Sequence, residues 1–178
     1  RFSFKSDAIH HYGYNTLLFP DTSLDIRGKD IKQSYIRTGL DIRYLSTYSD
    51  SSHLNYDLLF SYNNFIDKHN NFENQLILDL GLNKRFEEKI FGIDLGITYN
   101  HTSKSIDSSS TTLLSASPYF SKKSADYEFQ VGGSIYASTG NQKNVYLYPN
   151  ASLKFNLVER IFVPYVGIYG DAMLVTYN

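Results

Sequence analysis

The sequence predicts an all-β protein, an antiparallel up-and-down transmembrane β-barrel with about nine strands in view. Three observations predict it. Apolar and polar residues alternate with period two along most of the chain, the connections are alternately long and short, and aromatic residues recur just inside the short ones. The alternation is plainest in "LILDLGLNKRFEEKIFGIDLGITYN". There Leu76, Leu78, Leu80 and Leu82 alternate with Ile77, Asp79, Gly81 and Asn83, and Phe91, Ile93, Leu95, Ile97 and Tyr99 alternate with Gly92, Asp94, Gly96 and Thr98. Each run is about twelve residues, roughly twice the usual strand of a soluble protein.

The elements follow in order. A first strand over 2–14 is the weakest, because "DAIHHYGYN" is polar on both faces, and a long connection over 15–33 follows it. A second, 34–48, sets Ile36, Leu40, Ile42 and Tyr44 against Arg37, Asp41 and Arg43. A third, 54–66, sets Leu54, Tyr56, Leu58, Phe60 and Tyr62 against Asn55, Asp57, Ser61 and Asn63. The fourth, 74–86, and fifth, 89–100, are the pair quoted above, and the sixth is 112–122. The seventh, 125–138, sets Tyr127, Phe129, Val131 and Ile135 against Glu128, Gln130 and Ser134. The eighth, 145–157, sets Val145, Leu147, Ala151, Leu153 and Phe155 against Asn150, Ser152 and Lys154. The ninth, 161–177, is less regular, with Phe162, Val166, Ile168, Ala172 and Leu174 opposite Tyr165, Tyr169 and Asp171.

In a meander every second turn falls on the same rim. The connections at 49–53, 87–88, 123–124 and 158–160 are the short ones, and those at 67–73, 101–111 and 139–144 are longer. "SKSIDSSSTT", 103–112, is expected to be a flexible external loop. Outer-membrane barrels have such an asymmetry, with tight periplasmic turns and extended external loops. Tyr48 and Tyr56, Phe86 and Phe91, Phe120 and Tyr127, and Phe155 and Phe162 flank the short turns. By parity all eight stand on the apolar face, where an aromatic girdle at a membrane interface belongs, and Tyr62 and Tyr99 mark the opposite girdle. The opposite parity gives the lumen Arg37, Asp41, Arg43, Asp57, Asp79, Asp94, Glu128 and Lys154. Lipid requires apolar side chains outward, and a wet lumen accepts carboxylates inward.

The bulk numbers bound the rest. Lys plus Arg total 17 against 18 Asp plus Glu, so no basic surface points to nucleic acid. There is no Cys, which excludes a disulfide framework, a thiolate metal site and a thiol nucleophile. No apolar run has the length of a transmembrane helix. The chain starts "RFSFKS" without an initiator Met, and nine strands leave its ends on opposite rims, whereas bacterial single-chain barrels have even strand numbers. The expectation is a single barrel region over 1–178, part of a longer chain.

The segments "DLGLNKRFEEKIFGIDLGITYNHTS", "LLSASPYFSKKSADYEFQVGGSIYAS" and "VYLYPNASLKFNLVERIFVPYVGIYGDAML" resemble the TonB-dependent-receptor-like outer-membrane barrels of Bacteroidota. The likeness is one of hairpin rhythm more than of fixed motif. It implies an outer-membrane location and a large barrel. Siderophore or glycan import in that family also uses a plug domain and a TonB box, neither visible in these residues, so the resemblance carries the barrel and not the energy coupling.

Residues able to do chemistry are few. His10 and His11 are strand neighbours that point to opposite faces, so they do not share a metal. Asp79 and Asp94 lie on adjacent strands at similar heights; paired carboxylates can do acid–base work or bind a cation, but a hydrated network with Arg37, Arg43, Arg85 and Lys154 is the simpler expectation. No phosphate-binding loop, catalytic set, metal site or cofactor site is expected. The functional expectation is therefore a non-enzymatic outer-membrane barrel, a channel, receptor-like transporter or structural subunit. Its partners are outer-membrane lipid and other envelope proteins. Two alternatives stand beside it: a soluble secreted β-sandwich that binds glycans on exposed Tyr, and a barrel-borne hydrolase.

Overall fold

In the computed structural model, residues 2–12, 32–46, 48, 52–68, 71–103, 108–140, 143–157 and 162–174 are described. They form nine strands: β1 Phe2–Tyr12, β2 Lys32–Leu45, β3 Leu54–Asp67, β4 Phe72–Phe86, β5 Lys89–Ser103, β6 Ser108–Lys123, β7 Tyr127–Thr139, β8 Asn144–Phe155 and β9 Tyr165–Tyr169. All belong to one sheet in sequence order, each antiparallel to the next. The sheet is open, with β1 and β9 at its edges. The all-β, up-and-down architecture is thus the one the alternation predicts. Most of the connection at 15–33, the turn at 158–160 and the side chains of His10 and His11 lie outside the described residues.

β3 to β7 run 13 to 16 residues, against a common strand length near six. Their length follows from unbroken alternation and from tight turns. Between β4 and β5, Phe86 pairs with Lys89, and Glu87 takes a φ of 54° to let two residues reverse the chain. A non-glycine residue in that region is uncommon, and here the hairpin requires it.

Burial is distributed inside out. Among the described residues the most buried side chains are Glu73, Ser134, Ser61, Leu113 and Asn100, four of them polar, and the register puts all five on the polar face. The apolar face stays open: Leu95 is 37 % exposed, Ile97 41 %, Val145 72 % and Leu147 73 %. Each strand packs chiefly on its neighbours in sequence, so among the described residues no second layer lies over Leu78, Leu80, Ile93 or Leu95.

Three expectations need correction. The Ser-rich stretch 103–112 is not mainly a loop: β5 runs on to Ser103 and β6 starts at Ser108, so only 104–107 lies between them. Cross-strand pairs such as Thr102 with Ser109 extend the ladder, because Ser and Thr pair readily across a sheet. Within the described residues 162–174 the ninth strand covers only Tyr165–Tyr169, short of the expected 161–177. Its pairing with β8 stops at Asn150, where Pro149 stands next with no N–H to offer. The chain then leaves the sheet and crosses the polar face, where the Tyr136 hydroxyl donates to Asp171 at 2.6 Å. Finally, the tight turn between β6 and β7 is 125–126 and not 123–124: the Ser124 amide donates to the Tyr127 carbonyl and Lys123 pairs with Glu128, so Phe120 stands opposite Val131.

Candidate functional site

All eight residues assigned to the lumen share one face. Arg37 lies over the rings of Tyr35 and Phe65, 5.6 and 5.8 Å from their centroids. Asp41 accepts hydrogen bonds from Ser3 at 3.2 Å and Ser61 at 2.6 Å. Arg43 and Asp57 form a bidentate ion pair, with Nε donating at 2.7 Å and Nη2 donating to the other oxygen. Glu128 is paired with Lys123 at 3.6 Å and sits opposite Lys154 in register.

Asp57, Asp79 and Asp94 meet in a polar depression of about 480 Å³, which Arg43, Ser115, Ser117 and Tyr136 also line. The register explains the gathering. Asp79-Leu80-Gly81 on β4 lies antiparallel to Asp94-Leu95-Gly96 on β5, so each aspartate stands opposite the other strand's glycine. A Cβ on Gly96 would approach the Asp79 Oδ1 to 3.0 Å, and one on Gly81 would approach the Asp94 Oδ1 to the same distance. The glycines are needed for space: each carboxylate lies over a backbone with no side chain. Asp57 pairs with Gly81 from the other side and so joins the group. The proximity of Asp79 and Asp94 is the one the sequence suggests; Asp57 is the addition. The repeated D-L-G across a two-residue turn was the available signal.

A second glycine-framed feature flanks the depression. Tyr119 is opposite Gly92 on β5, whose missing side chain leaves room for its ring, and opposite Gly132 on β7, which lets the Pro118–Tyr119 backbone come close. Further toward β9 the polar face is tyrosine-rich, with Tyr136 and Tyr148 edge to face at 5.8 Å and Tyr146 and Tyr148 stacked at 6.4 Å. Near the opposite rim from the short turns, buried Glu73 accepts from the Asn100 amide at 2.7 Å. Among the described residues no set of His, Asp or Glu has the arrangement of a metal site. What this face offers is fixed carboxylates, hydroxyls and amides along a wet groove, suited to contacting water, cations or polar solutes.

The apolar face carries the aromatic row. Phe86, Phe91 and Phe120 follow one another at 6.0 and 4.8 Å, and Phe120 continues to Phe129 at 5.6 Å. Phe129, which parity also puts on the apolar face, joins the row, and Tyr127 stacks behind it at 6.2 Å. Tyr56 pairs with Tyr44 at 5.3 Å, whereas Tyr48 lies past the end of β2 and stacks on His53 at 4.4 Å. Phe155 is opposite Tyr127, and Phe162 bridges to Leu157 outside the named strands. At the other rim Tyr62 donates to Asn74 at 2.8 Å and Tyr99 to Ser110 at 3.4 Å, so the rows differ: Phe predominates below, with Tyr56 and Tyr127 among it, and hydrogen-bonded Tyr stands above.

Among the described residues no helix is long and apolar enough to cross a membrane, which leaves crossing by strands untouched. Comparison with protein families, with curated proteins and with solved structures finds no match.

Proposed function

We propose that this chain is the wall of a transmembrane β-barrel of the bacterial outer membrane, without catalysis, serving as a channel or receptor-like transporter or as a structural subunit of an envelope complex. The observation that carries the reading is the inversion of burial: Glu73 is 1 % exposed on the polar face while Val145 and Leu147 are more than 70 % exposed on the other. In water such an arrangement exposes a contiguous apolar surface that soluble monomers avoid. Against acyl chains it is the stable one. Nine residues separate the Phe row from the Tyr row on β5, counting Phe91 to Tyr99, which is about the length a tilted strand needs to cross hydrocarbon.

Closure follows from the same physics. Edge groups of β1 and β9 left unpaired in lipid cost several kcal/mol each, so in a membrane these edges pair with further strands. The wet groove with Asp57, Asp79 and Asp94 then faces the lumen and sets its polarity. The resemblance to TonB-dependent-receptor-like barrels of Bacteroidota fits this placement. A secreted β-sandwich requires a second sheet over Leu78, Leu80, Ile93 and Leu95, and the single sheet gives that reading no support.

Extraction tests the proposal. The protein is expected in the outer-membrane fraction, to need detergent, and to migrate differently on gels before and after boiling. Purification as a monomer without detergent overturns it.

A further inference from the structure

The apolar face does not end in aromatics alone. At the short-turn rim the register brings three lysines onto that same face. Lys84 pairs with Phe91, Phe86 with Lys89, Lys89 with Lys122, and Lys122 with Phe129. The Lys84 ammonium sits 5.3 Å from the Phe86 ring centroid. That of Lys122 sits 5.3 Å from the Tyr127 ring and donates to its hydroxyl at 2.8 Å. Three cations are thus interleaved with Phe86, Phe91, Phe120 and Phe129.

Two features make this more than a solvated edge. Lys89 and Lys122 are direct cross-strand partners on one face, and like charges so placed repel unless an anion lies between them. The nearest acid is Glu88, whose carboxylate is 4.0 Å from Lys122. With Glu87 in the same turn, two carboxylates stand against three ammoniums. By contrast Lys123, one residue on and on the polar face, has Glu128 at 3.6 Å.

We propose that Lys84, Lys89 and Lys122 form a binding site for the anionic phosphate headgroup of a lipid whose acyl chains lie on the Phe row and the leucines beyond it. The inference rests on the membrane reading above and names the lipid chemistry that the short-turn rim selects. The long lysine stems lie along apolar surface and carry their charges to the headgroup level. Cation–π contacts hold two of the ammoniums in place. The charge supplies what bare Phe cannot, a preference among lipids of equal chain length.

The test uses the full chain, refolded with vesicles of phosphatidylcholine alone or of phosphatidylcholine mixed with phosphatidylglycerol, and partitioning is read by flotation at graded lipid concentration. The expected result is about tenfold stronger partitioning into the anionic vesicles, weakening as salt is added. The combined variant Lys84→Gln, Lys89→Gln and Lys122→Gln is expected to insert into phosphatidylcholine like the parent and to lose the preference. The charge-matched control Lys68→Gln, Lys123→Gln and Lys143→Gln is expected to keep it. Insertion into both vesicle types with no preference, or a preference that survives the first triple variant, overturns the headgroup site and leaves the membrane reading standing. Insertion into neither vesicle overturns the membrane reading and the site with it.

Discussion

Along β5, Phe91, Ile93, Leu95, Ile97 and Tyr99 stand on one side of the sheet and Gly92, Asp94, Gly96, Thr98 and Asn100 on the other. One backbone serves two environments that share almost no side-chain chemistry. On the first side the residues are large and left open, with Leu95 37 % and Ile97 41 % exposed. On the second they are small or polar, and although Asp94 is open, Gly96 carries the Asp79 carboxylate above it and Asn100 is buried against Glu73. In a water-soluble sheet the apolar side is the covered one. The reversal teaches that the residues which hold this sheet together from within are its polar ones, and that its apolar residues are left uncovered.

The comparison can be broken or sharpened by substitution. The largest effect is expected from Leu95→Arg, which puts a charge at mid-strand on the apolar face. In bilayers it is expected to destabilise the folded protein by about 2–4 kcal/mol, measured by denaturant titration in vesicles. A change under about 0.5 kcal/mol, the usual result at a water-exposed site, would put that face in water. Next is Glu73→Ala on the polar face. It leaves the buried Asn100 amide without its acceptor and is expected to cost about 1–3 kcal/mol in the same titration. Phe91→Ala removes the ring between Phe86 and Phe120 and is expected to cost about 1 kcal/mol beyond its area, read as non-additivity with Phe120→Ala. The smallest effect is expected from Arg43→Gln. Its ion pair with Asp57 is open to water, so the unfolding midpoint is expected to stay within experimental scatter.

Much of the fold was legible because alternation has a fixed period. Once Leu78 and Ile93 are assigned to one face, Asp79 and Asp94 must take the other, and all eight residues assigned to the lumen fall together. What parity does not carry is register across turns. Tyr127 falls opposite Phe120 only if the turn is 123–124; the Ser124–Tyr127 closure moves the two-residue turn to 125–126 and puts Phe129 in the row. The end of β9 was illegible for another reason. "VPYVGIYGDAML" alternates well enough to read as one strand, and the hydrogen bond that pulls Asp171 across to Tyr136 is a contact between residues 35 apart. The acidic groove stood between these cases: Asp79 and Asp94 could be placed together by counting from the turn, while Asp57 could not be added without the β3–β4 register.

The most direct test is the environment of alternate residues on β5. The chain has no Cys, so Ile93→Cys, Asp94→Cys, Leu95→Cys, Ile97→Cys and Thr98→Cys each give a single site for a spin label. In reconstituted bilayers, collision with oxygen, which concentrates in hydrocarbon, is compared with collision with a water-soluble nickel chelate. The account predicts that labels at 93, 95 and 97 meet oxygen and not nickel, and that those at 94 and 98 show the reverse. Labels at 93, 95 and 97 that are shielded from both, or that meet the nickel chelate, would contradict it.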